Sequence, residues 1–254
     1  MNALKLVRRN GLVFWRGWRS SFFLSALFPV LFLAAMGLGL GGLVEADADS
    51  FGGASYLAFF ATGMLAANSM QTGVFSASYP VLNKIIWQRN YEALLATPIS
   101  VRDILRGELV WIAVGLLQQT LPFFGVAALF GVFDSWGALL AVPVAVLVGT
   151  SFAAMMLSLT ATLKRDEAYT WIFRFIVTPL FLLSGTFFPI ESLPGWARVV
   201  ANLTPLYHGI ALVRELSIWD FSASSAALHL GYLFAFLAVG YALARRNLQK
   251  RLVA

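Results

Sequence analysis

Residues 83–108 read NKIIWQRNYEALLATPISVRDILRGE, and seven of these twenty-six residues are charged. In a 254-residue chain that is 59% hydrophobic and 12% charged, with 22 Phe and 8 Trp, that density is a local exception. The stretch does not cross a bilayer, because each Asp, Lys or Arg at the centre of a membrane helix costs about 2.5–3.5 kcal/mol on insertion scales. On both sides the chain runs apolar for longer than the roughly 18 residues that can span hydrocarbon. The segment is therefore a loop between two spans of an all-α, polytopic membrane protein.

Outward from that loop, apolar runs with few or no charges predict six spans at residues 22–44, 54–78, 104–132, 138–163, 169–188 and 223–244. At 1.5 Å rise per residue each can cross roughly 30 Å, and the longer ones can tilt. Pro29, Pro122, Pro143 and Pro179 fall inside four of them, where kinks are expected because neighbouring helices re-satisfy the freed carbonyls. Sixteen of the eighteen Lys and Arg residues fall in the N-terminal stretch, around the second and fourth loops, and in the C-terminal tail. Only Arg198 and Arg214 lie on the opposite side, with Glu45, Asp47, Asp49, Asp134, Glu191, Glu215 and Asp220. By the positive-inside rule both ends are cytoplasmic, and the net charge of +6 reports topology rather than nucleic-acid binding. The chain is expected to be a single membrane domain over residues 1–254: an interfacial stretch (1–21), five spans (22–188), an external segment (189–222), the last span and a basic tail (245–254). With no cysteine there is neither a disulfide framework nor a thiolate metal ligand. Ala46-Asp47-Ala48 has the pattern of a signal-peptide cleavage site, but the basic region and apolar run before it are too long, and no cleavage is expected.

If residues 5–19 are helical, Lys5, Arg8, Arg9, Arg16 and Arg19 share one arc opposite Leu6, Val7, Val13, Phe14 and Trp18, as in a helix lying in the inner interface. Gly11 and Gly17 keep open the alternative of a plain basic anchor. Gly37 and Gly41 form a small-xxx-small pair in the first span. In the opening loop Trp87, Tyr91, Leu94 and Leu95 follow helical spacing, Thr97-Pro98 ends the helix, and Ser100 with Asp103 forms an N-cap signature for the next one. Arg89, Glu92, Arg102, Asp103 and Arg106 surround that apolar ridge, which suits docking of a soluble partner; resting on the lipid surface is the alternative.

A second long segment, SGTFFPIESLPGWARVVANLTPLYHGIALVRELSIWDF at residues 184–221, is too long for a turn and too apolar for a solvated loop. Pro189, Pro194 and Pro205 cut it into helical pieces at about residues 195–203 and 206–216, with Trp196, Tyr207 and Trp219 as interface anchors. The expectation is a re-entrant helix pair dipping from the outer face before the last span, its backbone covered by protein or a water-filled cavity.

No glycine precedes Lys5, Lys84, Lys164 or Lys250, so the chain lacks a Gly-x-x-x-x-Gly-Lys phosphate cradle and ATP must bind elsewhere. His208 and His229 have no companion at i+4, so no metal site is expected and hydrogen bonding at headgroup level is the better reading. Arg174 lies deep in the fifth span, either snorkelling to the inner interface or contacting an anionic headgroup. Trp171, Phe175 and Phe181 on the same span, with Tyr207, are candidates to line a substrate path beside it; packing against lipid is the alternative for most aromatics of this run. An ion-coupled transporter would need midplane ionisable sites and a membrane enzyme would need clustered acid, base or metal ligands, and neither pattern is present.

The order of elements, with RNYEALLATPISVRDILRGE after the second span and LLSGTFFPIESLP followed by LTPLYHGIALVREL before the last, resembles the membrane subunit of ABC-2-type exporters over essentially the whole chain. It is most similar to the branch that exports nodulation factors and lipid-linked glycans. The resemblance implies an ATP-binding subunit, carrying ATP and Mg, that contacts Trp87, Arg89, Tyr91, Glu92, Leu94, Arg102 and Asp103. It also implies a second copy of the chain, paired in the bacterial inner membrane around a path for an amphipathic substrate. A lipid-linked glycan, a lipooligosaccharide or a hydrophobic drug would each suit such a path.

Overall fold

The computed structural model describes residues 11, 27, 30–35, 51, 53–133, 135–218 and 221–253. Apart from Gly11, the basic stretch expected at residues 5–19 lies outside these, as do most of the first span and Gly37 and Gly41. The described residues contain helices and no strand.

Helix α1, Tyr56–Ala77, begins where the Ser55 side chain accepts the Ala58 N–H at 3.2 Å. The charged loop follows as two short helices, α2 (Tyr79–Ile86) and α3 (Asn90–Leu95), before α4, Val101–Leu129. The start of α4 is the capping box expected there: Ser100 Oγ accepts from Asp103 N, and Asp103 Oδ2 accepts from Ser100 N and Oγ. Pro122 is accommodated inside α4 without ending it. A 3-10 turn, Trp136–Leu140, leads into α5, Ala141–Thr160.

The fifth apolar run is divided into α6 (Glu167–Ile172), a π-helical segment (Phe173–Val177) and α7 (Thr178–Leu183). Pro179 explains the wide turn, since its ring excludes the ordinary helical bond, and the Thr178 hydroxyl donates to Phe173 O at 2.9 Å. The pieces expected at residues 195–203 and 206–216 form as α8, Gly195–Asn202, and α9, Pro205–Ser217, followed by α10, Ala223–Val253.

Among the described residues three helices are long and apolar enough to cross a membrane: Val101–Leu129, Trp136–Thr160 and Ala223–Val253. Helix α1, at 22 residues, has the length, but Asn68, Ser69, Gln71 and Thr72 lower its hydropathy. Helix α10 runs well beyond the span expected at 223–244; its 31 residues measure about 46 Å, leaving its basic end beyond a 30 Å core.

Helix α5 is central, packed against α1, α4, α9 and α10. Its neighbours come close because three of them meet it with glycine. A methyl on Gly73 of α1 would overlap the Gly149 carbonyl, one on Gly209 of α9 would overlap Val148, and one on Gly240 of α10 would reach Met155 N. Ser69 and Thr120 hydrogen-bond between α1 and α4 at 3.2 Å, and Thr160 donates to Ala77 O at 2.8 Å. Arg251 donates to the carbonyls of Ala161 and Leu163, capping the end of α5 from the end of α10.

Candidate functional site

The charged loop is built against the bundle. Arg89 is left-handed (φ 46°), so α2 and α3 are separate helices and the chain turns between Trp87 and Tyr91. The expected single ridge is therefore divided. Trp87 is 65% exposed, whereas Tyr91 is 2% exposed and belongs to the chain's own core, with Leu94 half-buried against that core. Arg89, Glu92 and Arg102 are exposed and form the outward surface with Trp87. Asp103 is committed to the Ser100 cap, and Arg106 donates to Tyr241 of α10 at 3.2 Å.

Beneath this surface lies a pair that sequence spacing did not reveal. Lys84 of α2 donates to both oxygens of Glu108 of α4, at 2.8 and 2.7 Å, and Glu108 is buried. The Tyr91 hydroxyl has no hydrogen bond of ordinary geometry among the described residues. Burial first, and then the Glu108 carboxylate acting on it, push its phenol well above the usual range. The loop is thereby joined to α4 at two places, the Ser100 cap and the Lys84–Glu108 pair.

Two adjoining clefts, of about 350 and 550 Å3, open along α1 and the π segment and share Phe75, Phe173 and Thr178. Arg174 lines one and Phe181 the other. Trp171 and Phe175 are exposed and stack on each other, centroids 5.3 Å apart. The opposite wall carries Asn68, Gln71 and Thr72, polar residues at i, i+3 and i+4 on α1. That spacing was visible in ANSMQTG, residues 67–73, and was the available signal for a polar wall.

Tyr207 lies elsewhere, edge-on to the rings of His208 and His229. The two histidines, expected to act singly, meet between α9 and α10 with Nδ1 atoms 2.7 Å apart. Arg214, expected only to lie on the side opposite the basic loops, is 5% exposed. It lies 3.5 Å over the Phe59 ring and donates to Phe59 O at 3.1 Å and Gly185 O at 2.7 Å, tying α9 to α1 and to the turn after α7. Gly185 is left-handed there (φ 82°), which a side chain would strain. Among the described residues no group of three or more His, Cys, Asp or Glu is placed to hold a metal ion.

The family described as ABC-2 type transporter matches residues 2–217. The chain belongs to that family. Among curated proteins it is 31% identical to Nodulation protein J of Rhizobium leguminosarum bv. viciae, over 100% of this chain and 96% of that protein. It is also 31% identical to Nodulation protein J of Rhizobium meliloti (strain 1021), over 99% and 94% of the two chains. The protein of the same name from Sinorhizobium fredii (strain NBRC 101917 / NGR234) is 31% identical over 100% and 95%. As an ABC-2 chain it is a membrane transport component.

Proposed function

We propose that the chain is the permease subunit of an ATP-driven exporter that moves a lipooligosaccharide or lipid-linked glycan out of the cytoplasm or the inner leaflet of a bacterial inner membrane. The observation that carries this reading is the loop at residues 83–108: an exposed Trp87, Arg89, Glu92 and Arg102 surface rooted in α4 by a cap and an ion pair. In an ABC-2 chain with no phosphate cradle, such a rooted surface suits the receipt of motion from a separate ATP-binding subunit that carries ATP and Mg.

The substrate path is assigned to the clefts along α1 and residues 173–181. A second copy of the chain closes them, in keeping with the two-fold symmetry common among paired subunits. Aromatic Trp171, Phe175 and Phe181 suit an acyl chain or sugar faces, Arg174 an anionic headgroup, and Asn68, Gln71 and Thr72 sugar hydroxyls. That polar wall favours a glycolipid over a hydrophobic drug, and similarity to Nodulation protein J favours the lipo-chitooligosaccharide branch. In this reading six spans put both ends in the cytoplasm. Helices α8 and α9 form the re-entrant pair: α9 is sheathed by α1, α5 and α10, while α8 presents exposed Trp196, Val199 and Val200 to the surrounding lipid.

The test is ATPase activity of the chain with its ATP-binding partner in lipid nanodiscs. Lipo-chitooligosaccharide is expected to stimulate hydrolysis, while the unacylated oligosaccharide and a hydrophobic drug do not. Stimulation by the drug alone, or azido-ATP labelling of this chain without its partner, would overturn the proposal.

A further inference from the structure

Helix α9 carries His208 and Glu215 seven residues apart, two turns along the same face. His229 of α10 reaches both: its Nδ1 lies 2.7 Å from His208 Nδ1 and its Nε2 lies 3.7 Å from Glu215 Oε1. Both histidines are buried, and the His208 ring stacks on Tyr232 with centroids 4.0 Å apart. Glu215 Oε1 also accepts from Ser225, while its Oε2 is buried without a hydrogen-bond partner among the described residues. We propose that His208, His229 and Glu215 form a proton-binding site that fastens α9 to α10 and releases it when both imidazoles become charged.

The chemistry follows from the Nδ1–Nδ1 contact, which requires one nitrogen to donate and the other to be bare. With both rings neutral, His208 donates from Nδ1 to the bare Nδ1 of His229, whose Nε2–H faces Glu215. One proton added at His208 Nε2, with the His208 Nδ1 proton passing across the contact, makes His229 an imidazolium that donates from Nδ1 to the now bare Nδ1 of His208 and from Nε2 toward the carboxylate. A second added proton leaves two N–H groups and two positive charges facing each other, and the bond is gone. The closed site therefore holds at most one added proton while the separated rings hold two, so falling pH favours separation.

Few other charges bear on the site. On α9 the guanidinium of Arg214 is turned to Phe59 O and Gly185 O, and Tyr207 lies edge-on to both rings. Tyr232 of α10 donates its hydroxyl to Leu203 O. Glu191 lies in the turn before α8, and Arg198 of α8 is held by the carbonyls of Ile190 and Glu191. Helices α1 and α5, which also pack on α9, contribute no acidic, basic or histidine side chain. Release at the histidines leaves α9 tied to α1 through Arg214 and, near its C-terminal end, to α10 through Ser225 and Glu215, so the rings part by a tilt of α9 and not by its detachment.

That the site faces the outside, and so responds to external acid, rests on the topology proposed above. The chain contains no cysteine, so Leu203→Cys and Leu228→Cys, both exposed, accept spin labels cleanly for distance measurement in nanodiscs. Between about pH 8 and pH 5, the range in which imidazole changes charge, a longer distance is expected to grow at the expense of the shorter one. His208→Gln and His229→Gln are each expected to remove that response while keeping the helical circular dichroism. In the unaltered chain, nitrogen-labelled histidine spectra are expected to show one Nδ1 proton shared by two rings at the higher pH. An unchanged distance distribution, the same response in both glutamine variants, or two independently titrating rings would overturn the proposal. In sealed vesicles, a response only to acid on the face bearing the 83–108 loop would uphold the latch and overturn the topology.

Discussion

Glu108 is a carboxylate buried under a charged loop, and Lys84 is what makes its burial tolerable. Removing one member of a buried pair leaves the other desolvated and uncompensated, at a cost of about 3–5 kcal/mol when burial is complete. The Lys84 side chain keeps 25% of its exposure, so Lys84→Ala is expected to cost less, about 1–3 kcal/mol. Unfolding in detergent should register that loss, and the exchange Lys84→Glu with Glu108→Lys should recover part of it. Equal stability of Lys84→Ala and the parent would show that water already solvates Glu108. Sequence spacing does not announce this pair, because Glu108 is 24 residues from Lys84 and on another helix. Arg214 teaches the same lesson: charge placed it outside, but only the fold shows the Phe59 and Gly185 carbonyls that hold it.

At the scale of elements, signals confined to a few neighbouring residues were readable and those requiring a backbone exception were not. Ser100 and Asp103 announced the start of α4, and the prolines bracketing residues 195–217 marked α8 and α9. The left-handed Arg89 had no sequence signature, and it moved Tyr91 from the outward surface into the core. Ser100→Ala is expected to cost about 1 kcal/mol through the lost cap, measured as a shift in the unfolding midpoint. Trp87→Ala and Glu92→Lys touch only the outward surface and are expected to preserve insertion and stability while weakening capture of the ATP-binding subunit. A desolvated charge pair in such an interface is worth roughly 2–5 kcal/mol on truncation, against about 0.2–1 for an exposed one. Normal capture by both variants would return the loop to a lipid-surface role.

For the whole molecule, the class and the order of helices followed from apolar run length and charge, which are one-dimensional properties. Which helix is central did not, because Gly73 and Gly149 meet across separate helices and no spacing rule connects them. The sequence-based choice of a glycine contact, Gly37 and Gly41, lies outside the described residues, while Gly73, Gly149, Gly209 and Gly240 set the packing around α5. Gly149→Leu is expected to push α1 from α5 and yield protease-sensitive, aggregated protein. Gly115→Ala and Gly125→Ala, whose added methyls meet nothing, are expected to purify normally. The central claim, that this fold couples ATP hydrolysis on a partner to glycolipid export, is tested most directly by uptake of labelled lipo-chitooligosaccharide into inside-out vesicles. Uptake is predicted to require ATP and both subunits and to be lost in Glu92→Lys. Uptake without ATP or without the partner, or at the parental rate in Glu92→Lys, would contradict it.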